Sequence, residues 1–471
     1  MNILSKLKKL SAQEKAAIAY FLANIITKGL TFITIPIFTR LLSTSEMGVV
    51  TIYTSWQSII YTISTLALTS GSLSVSLLKY KANRDKFLSA NLFLSMISVS
   101  FFTLIYFIVN KLLIGFIDLS FDLIICIFLY SLFNPALESW YIKNRYEYKF
   151  KSVVAVTIIS SVISIGFSVV SVFFLRNNTN YNLGNVRILS QNIITIIVGL
   201  AFCIYILLKG KKLVSKLMWS FSLKISLPLV IHSLAKNVLD ISDRLMIDKY
   251  CGKSDAGIYG TIYTISSMSL VIWTAINASL VPDMFENLEK CEYSYVNKKC
   301  INILLMFSGI SLSITLFAPE ILRMLTTDEY NSALYIIPAL AAGIYLTALY
   351  NIYGNTILYK EKSIYLMVAT SIAAVINFVL NYIFIRKFGY IAAAYTTLVS
   401  FIVLSLILII VQKHLFKQEI INSKYILSIS TVSILLCLFC NVIYRFTILR
   451  YFIIVVIIYI VVKNRKIIIG K

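Results

Sequence analysis

The chain has 471 residues, 59% of them hydrophobic and only 13% charged, with a mean hydropathy of +0.85. A water-soluble protein carries about a quarter of its residues as charges, so this composition excludes a soluble globular fold. The formal charge of +23 lies in short basic clusters between apolar runs. That spacing favours anionic lipid headgroups and argues against nucleic acid, which calls for a basic patch on a polar domain.

In chain order, apolar runs of about 20 residues, long enough to cross the hydrocarbon core as helices, occur at fourteen places. They cover 16–38, 48–70, 88–109, 117–137, 153–175, 188–208, 222–246, 256–281, 301–318, 333–358, 364–385, 390–412, 425–443 and 447–462. The sequence therefore predicts an all-α integral membrane protein with 14 transmembrane helices. The first run follows a basic segment, MNILSKLKKLSAQEK, but it is too long for a signal peptide and contains Lys28 and Pro36. It is read as the first span, with the basic segment as a candidate surface anchor.

Of the 43 Lys and Arg, 29 flank the spans on the side holding both termini and 11 on the other, with Lys28, Lys236 and Arg244 inside spans. This bias predicts that both termini are cytoplasmic. Arg40 of TRLLS and Arg244 of DRLMI end the first and seventh spans, six spans apart. A weak repeat of that spacing predicts two six-helix lobes in the same orientation, related by a parallel repeat, plus two extra C-terminal helices. The corresponding domains are 1–215, 216–415 and 416–471.

No Ser/His/Asp arrangement, phosphate-cradling glycine loop or metal-ligand cluster can be assembled outside the membrane, and only two histidines exist. Cys437 and Cys440 have a CxxC spacing inside the thirteenth span, where buried packing is the expected role. No connection exceeds about 20 residues, which leaves no room for an extramembrane catalytic domain. The reading is therefore a transporter, not an enzyme, with no cofactor except a coupling proton or sodium ion.

The exception to the apolar pattern is HSLAKNVLDISDR, residues 232–244, in the seventh span. At 100° per residue, His232, Lys236, Asp240 and Asp243 share about 80° of the helix circumference, with Arg244 just outside. His232 and Lys236 fall near mid-membrane, where a charge costs about 2.5–3.5 kcal/mol on insertion scales, so lipid is not what they face. One reading is an internal Lys236–Asp240 pair, with Asp243 and Arg244 reaching the outer interface. The preferred one is a wet central cavity lined by Lys28, His232 and Lys236, suited to a phosphate or diphosphate stripped of water. Asp240 and Glu138 are then candidates for charge tuning or ion coupling.

Four runs carry a resemblance. ITIPIFTRLLSTSEMGVVTIYTSW (33–56), SLPLVIHSLAKNVLDISDRLMI (226–247), APEILRMLTTDEYNSALYIIPAL (318–340) and NFVLNYIFIRKFGYIAAAYTTLVSF (377–401) together span most of the chain. In this order the sequence resembles the polysaccharide biosynthesis proteins, the Wzx-type flippases of the multidrug/oligosaccharidyl-lipid/polysaccharide (MOP) exporter superfamily. The resemblance implies translocation of a polyprenyl-diphosphate-linked oligosaccharide across the inner membrane for O-antigen or capsule synthesis, by alternating access. It also implies membrane lipids as surroundings, and a polysaccharide polymerase and glycosyltransferases as candidate partners. Of the family's basic residues on spans one and seven, Lys28 and Lys236 are the matching positions.

Tyr345, Tyr350, Asn351 and Asn355 in the tenth span, with Asn377 and Asn381 in the eleventh, are candidate sugar contacts. For Asn377 and Asn381, bonding between helices is the first reading. Ser160, Ser164, Ser168 and Ser171 form a small-residue face for close packing in the fifth span. The rivals are a peptidoglycan lipid-precursor flippase, a multidrug exporter of the same superfamily and a membrane glycan polymerase or glycosyltransferase. The exporter would be expected to offer carboxylates to cationic drugs, and the polymerase a large outer loop.

Overall fold

The computed structural model describes residues 12–112, 117–416 and 419–463. Most of the basic N-terminal segment read as a surface anchor lies outside them. Within the described residues the chain is helical, with no strand. The helices are α1 (Ala12–Leu41), α2 (Thr44–Ser64), α3 (Leu73–Lys79), α4 (Arg84–Leu112), α5 (Phe121–Tyr146), α6 (Phe150–Leu175), α7 (Leu183–Gly210) and α8 (Lys216–Cys251). They continue as α9 (Lys253–Ser266), α10 (Ser269–Glu289), α11 (Tyr293–Leu316), α12 (Ala318–Leu325), α13 (Ile337–Tyr359), α14 (Ser363–Phe388), α15 (Tyr390–Phe416), α16 (Ser423–Ile443) and α17 (Thr447–Lys463).

Eleven of the described helical stretches are long and apolar enough to cross a membrane, and α9 with α10, bent by 42° at their junction, supply a twelfth. The expected second and fourteenth spans are the two that fall outside this set. The second is broken, because α2 stops at Ser64 and a π-helical turn, Leu68–Ser72, precedes α3. The fourteenth is α17, whose apolar part, Thr447–Val456, is short among the described residues. The expected eighth span is the bent pair.

The chain divides into two compact units, Met1–Asn237 and Val238–Lys471, the division falling inside the continuous α8. In the first unit, α7 is the helix on which α5, α6, α4 and α2 pack, while α1 lies along α6. One cluster of its core joins Phe38, Met47, Val172 and Leu183, and a second joins Tyr53, Cys126, Ile127 and Ile188. Local chemistry fixes the helix starts. Ser43 caps α2 in a reciprocal box, its hydroxyl accepting from the Glu46 amide at 3.3 Å while the Ser43 amide donates to Glu46 Oε2 at 2.9 Å. The other Glu46 oxygen accepts from the Leu183 amide at 2.9 Å, which ties the start of α7 to that of α2. Ser164 and Ser168 donate to the Gln191 and Arg187 carbonyls at 2.7 and 3.1 Å, so the serine face of α6 packs on α7.

In the second unit, α13 is buried on nearly every side and packs against α15, α11, α16, α9 and α10. Its sequence explains this placement, because apolar and small residues cover most of its circumference, while Thr347, Tyr350, Asn351 and Asn355, at helical spacing, form a half-buried polar stripe. The last two helices attach here as well: Cys440 of α16 and Ile454 of α17 join Leu316 in one cluster. Cys437 and Cys440 are buried free thiols, the packing role expected of them. Arg450 of α17 is buried and holds Glu320 of α12 through both guanidinium nitrogens.

Close approach of α7 to α5 depends on Gly199, where an added Cβ would meet the Phe133 carbonyl oxygen at 2.8 Å. Gly199→Ala is expected to lower stability by about 1–3 kcal/mol, because backbone must move to admit the methyl group. Gly166→Ala, with nothing within 4 Å of the new Cβ, is the control expected to leave the thermal midpoint in detergent unchanged or higher.

Candidate substrate and coupling sites

The basic residues of the first unit come from two helices. Lys28 lies on the exposed side of α1 and forms no hydrogen bond or ion pair among the described residues. His232 and Lys236 stand one turn apart on α8 and interact electrostatically; His232 is half-buried and Lys236 exposed. Lys236 likewise has no ion-pair or hydrogen-bond partner among the described residues. One residue on, Asn237 donates to Thr62 Oγ1 at 3.0 Å and to the Ser58 carbonyl at 3.3 Å, so this part of α8 is registered against α2. Lys28 is joined to neither His232 nor Lys236 by a hydrogen bond or ion pair.

Glu138 of α5 sits at the centre of a polar cluster that the sequence did not disclose. Its Oε2 accepts from Tyr61 Oη at 2.8 Å and from Thr69 Oγ1 at 2.9 Å, and its Oε1 from Asn134 Nδ2 at 3.1 Å. Asn134 also donates to Tyr61 Oη at 3.4 Å. One turn toward the start of α2, Gln57 donates to Asn192 Oδ1 of α7 at 3.1 Å. Glu138 was expected as a charge-tuning or ion-coupling group, and the structure gives it a definite set of partners. The signals available for them were Gln57 within an apolar run and Asn134 one helical turn before Glu138.

Near the end where α5 stops, charges are paired. Lys143 bonds Asp85, which also faces Lys209 at 3.7 Å, and Glu147 faces Lys143 at 3.6 Å and Lys149 at 2.6 Å. Burial acts to raise the pKa of Glu147, but the bond from Lys149 and the charges of Lys143, Lys149 and Arg84 outweigh it and hold the carboxyl below its ordinary range.

In the second unit, half-buried Asp240 interacts electrostatically with Tyr263 of α9 and Tyr350 of α13, and the Arg244 guanidinium lies 4.4 Å from the Tyr263 ring centre. Asn355 donates to Asn277 of α10 at 2.9 Å, and Asn351 donates to its own helix at the Thr347 carbonyl. These residues remain candidates for polar contacts. Three of the expected sugar contacts do not, because they are spent inside the protein. Tyr345 is 1% exposed, bonded to Ser430 and stacked on Phe307. Asn377 and Asn381 are fully buried: Asn377 accepts from Ser242 at 3.1 Å and from Asn381 at 3.0 Å and donates to Thr397, while Asn381 accepts from Thr396. They join α8, α14 and α15, the first of their two expected roles. Asp243 also departs from expectation. It does not reach an interface but is 1% exposed, accepting from the Tyr259 hydroxyl and from the Arg244 amide at 2.8 Å. The reason is local: the Tyr259 phenol of α9 reaches that face of α8 and donates to the carboxylate.

These features define the class. The chain has the multi-pass fold of the MOP superfamily: a lipid II flippase MurJ in an inward closed conformation is similar at a TM-score of 0.67 and 15% identity, covering 96% of this chain and 99% of that one. An inward-facing multidrug resistance MATE family transporter of the MOP superfamily is similar at 0.62 and 13% identity, over 86% and 99%. Within that class, residues 14–288 match the polysaccharide biosynthesis protein family, and the chain belongs to it. A MatE model matches residues 228–383. A probable low-salt glycan biosynthesis flippase, Agl15 of Haloferax volcanii, is 23% identical over 395 residues, 83% of this chain and 81% of that protein.

Two substitutions separate structural from candidate contact residues. Asp243→Ala strands the buried Tyr259 hydroxyl, at a cost of about 1–3 kcal/mol, and is expected to lower both the thermal midpoint and the amount of folded protein. Asn351→Ala, which removes only a bond within its own helix, is expected to leave both unchanged in a detergent melting assay.

Proposed function

We propose that the protein is a flippase that moves a polyprenyl-diphosphate-linked oligosaccharide from the cytoplasmic to the outer leaflet of the plasma membrane, for surface polysaccharide synthesis such as O-antigen or capsule. It is a transporter rather than an enzyme, and its termini are cytoplasmic by the distribution of Lys and Arg. Membership in the polysaccharide biosynthesis protein family and the similarity to a glycan biosynthesis flippase support the substrate class.

The observation that carries the reading is the pair of lysines in membrane-spanning helices, Lys28 and Lys236, both exposed and neither with an ion-pair partner among the described residues. A bare ammonium at membrane depth is costly, and it is offset when an anionic substrate supplies the missing charge. With His232 beside Lys236, three nitrogen-bearing groups are available to the diphosphate during alternating access. Tyr350, Asn351 and Asn355 are the candidate sugar contacts that remain. The glycosyltransferases that build the lipid-linked unit and the polymerase that consumes it are its functional partners.

The test uses cells lacking the gene, with diphosphate-linked oligosaccharide measured separately in each leaflet. Inner-leaflet accumulation relieved by the wild-type gene is the expected result, and a normal leaflet distribution without the gene overturns the proposal. Lys28→Ala and Lys236→Ala are each expected to slow transfer about tenfold or more, the loss of one charge-assisted bond, at unchanged membrane abundance. Near-normal transfer in both variants would remove the basic groups from the substrate route.

A further inference from the structure

We propose that Glu138 is a proton-binding site that controls the bend of the broken second span, which makes the proton the coupled ion. The coupling role rests on the transport reading above; proton binding at the bend does not.

The first observation is the break itself. After α2 ends at Ser64, Leu66 and Ala67 take left-handed backbone angles, φ 51° and 47°, and the chain passes through the π-helical turn before resuming as α3. Neither residue is glycine, so the conformation is strained and must be held by its surroundings. π-Turns within membrane helices concentrate at functional sites, and interrupted spans mark the parts that bind or move. The eighth span is interrupted too, by the 42° bend between α9 and α10.

The second observation is what holds the break. Thr69, inside the π-turn, donates to Glu138 Oε2, and Tyr61, one turn before the break, donates to the same oxygen. A single carboxylate oxygen therefore pins both sides of the interruption to α5.

The third is the charge of that carboxylate. Glu138 forms no ion pair among the described residues and is held by neutral donors alone. The titratable groups turned toward it are the phenols of Tyr61 and, on its own helix, Tyr130. Charged groups of the other helices packed on α5 are exposed or engaged elsewhere: Lys86 of α4 is exposed and Glu46 of α2 bonds Ser43 and Leu183. Asp85 of α4 and Lys209 of α7 associate with Lys143, Arg84 of α4 donates to the Leu77 carbonyl, Lys79 at the end of α3 lies over the Phe221 ring, and Arg187 of α7 lies over Phe38. Lys151, in the first turn of α6, is exposed.

A proton arriving from water at Oε2 turns an acceptor of two hydrogen bonds into a donor. No bond other than the new O–H is made or broken covalently, but Tyr61 and Thr69 can no longer both donate to that oxygen. One must turn and accept. If it is Thr69, the π-turn loses its tether to α5 and the interrupted segment opens more readily; loss of the proton restores the tethered bend.

Backbone hydrogen–deuterium exchange of residues 64–74, corrected for the intrinsic pH dependence of exchange, tests this in purified full-length protein in nanodiscs without any substrate. In the wild type, protection is expected to fall as pH is lowered through one titration, together with the appearance of a carboxylic-acid infrared band. Glu138→Gln is expected to abolish the band and leave exchange low in protection at every pH. Tyr61→Phe removes a donor to the charged form and is expected to move the midpoint upward by about one pH unit or more, which keeps the test available if Glu138→Gln does not fold. Exchange independent of pH in the wild type, or a wild-type titration in Glu138→Gln, overturns the proposal. An unmoved midpoint in Tyr61→Phe does so as well. Because no glycan is involved, a failure here leaves the flippase reading standing, and a normal leaflet distribution in the deletion strain leaves the proton site standing.

Discussion

Everything in this protein follows from the requirement that a polar group taken into hydrocarbon must find its partner within the protein. Helices satisfy their own backbones, which is why the described chain is helical, and the requirement becomes informative wherever a helix stops or carries a polar side chain. At Leu66 and Ala67 the ladder is interrupted, and Tyr61, Thr69 and Asn134 gather on Glu138 beside it. At Asn377 and Asn381 the same requirement produces a closed set of bonds between three helices. The lysines at 28 and 236 are exposed and have no ion-pair partner among the described residues, so on the protein's side the requirement is left open there.

The two units meet the requirement differently. In the first, polar groups cluster around a carboxylate and an interrupted helix, and the packing centre is α7, which uses Gly199 and Gly210 to bring other backbones close. In the second, the centre is α13, buried along most of its circumference, and the polar groups form amide–amide and hydroxyl–amide links. Pairing of this kind is worth only about 0.6–2 kcal/mol per bond in a membrane, so register comes from several such links acting with packing.

Much of this was legible in the sequence and some was not, for reasons that can be assigned residue by residue. Helix positions were, because hydrocarbon thickness sets the length of an apolar run. The serine face of α6 was, because small residues on one face of a span permit close contact with a neighbour. The break in the second span was not: the left-handed residues are Leu and Ala, with no proline or glycine at either position, and the conformation is held by residues on α5 far along the chain. Tyr345 failed as a sugar contact for a related reason. A tyrosine in a span reads alike whether its hydroxyl points to a cavity or to Ser430 of a helix 85 residues later. Asp243 could not be separated from Asp240 by angular position alone, since the bond from Tyr259 to Asp243 depends on where the fold brings α9. Glu138 was picked out as a carboxylate in a span, but its partners depend on the fold.

The bond between Glu46 and the Leu183 amide also sets an order of events during synthesis. When the first two helices leave the ribosome, Glu46 has only its local cap on Ser43; its second acceptor stays idle until the start of α7, 137 residues later, is made. This end of the first unit is therefore latched late, by a residue that is made only after the six preceding helices, and before any of the second unit is translated. A chain ending before Leu183 would hold Glu46 through its cap on Ser43 alone and would lack the tie between the starts of α2 and α7.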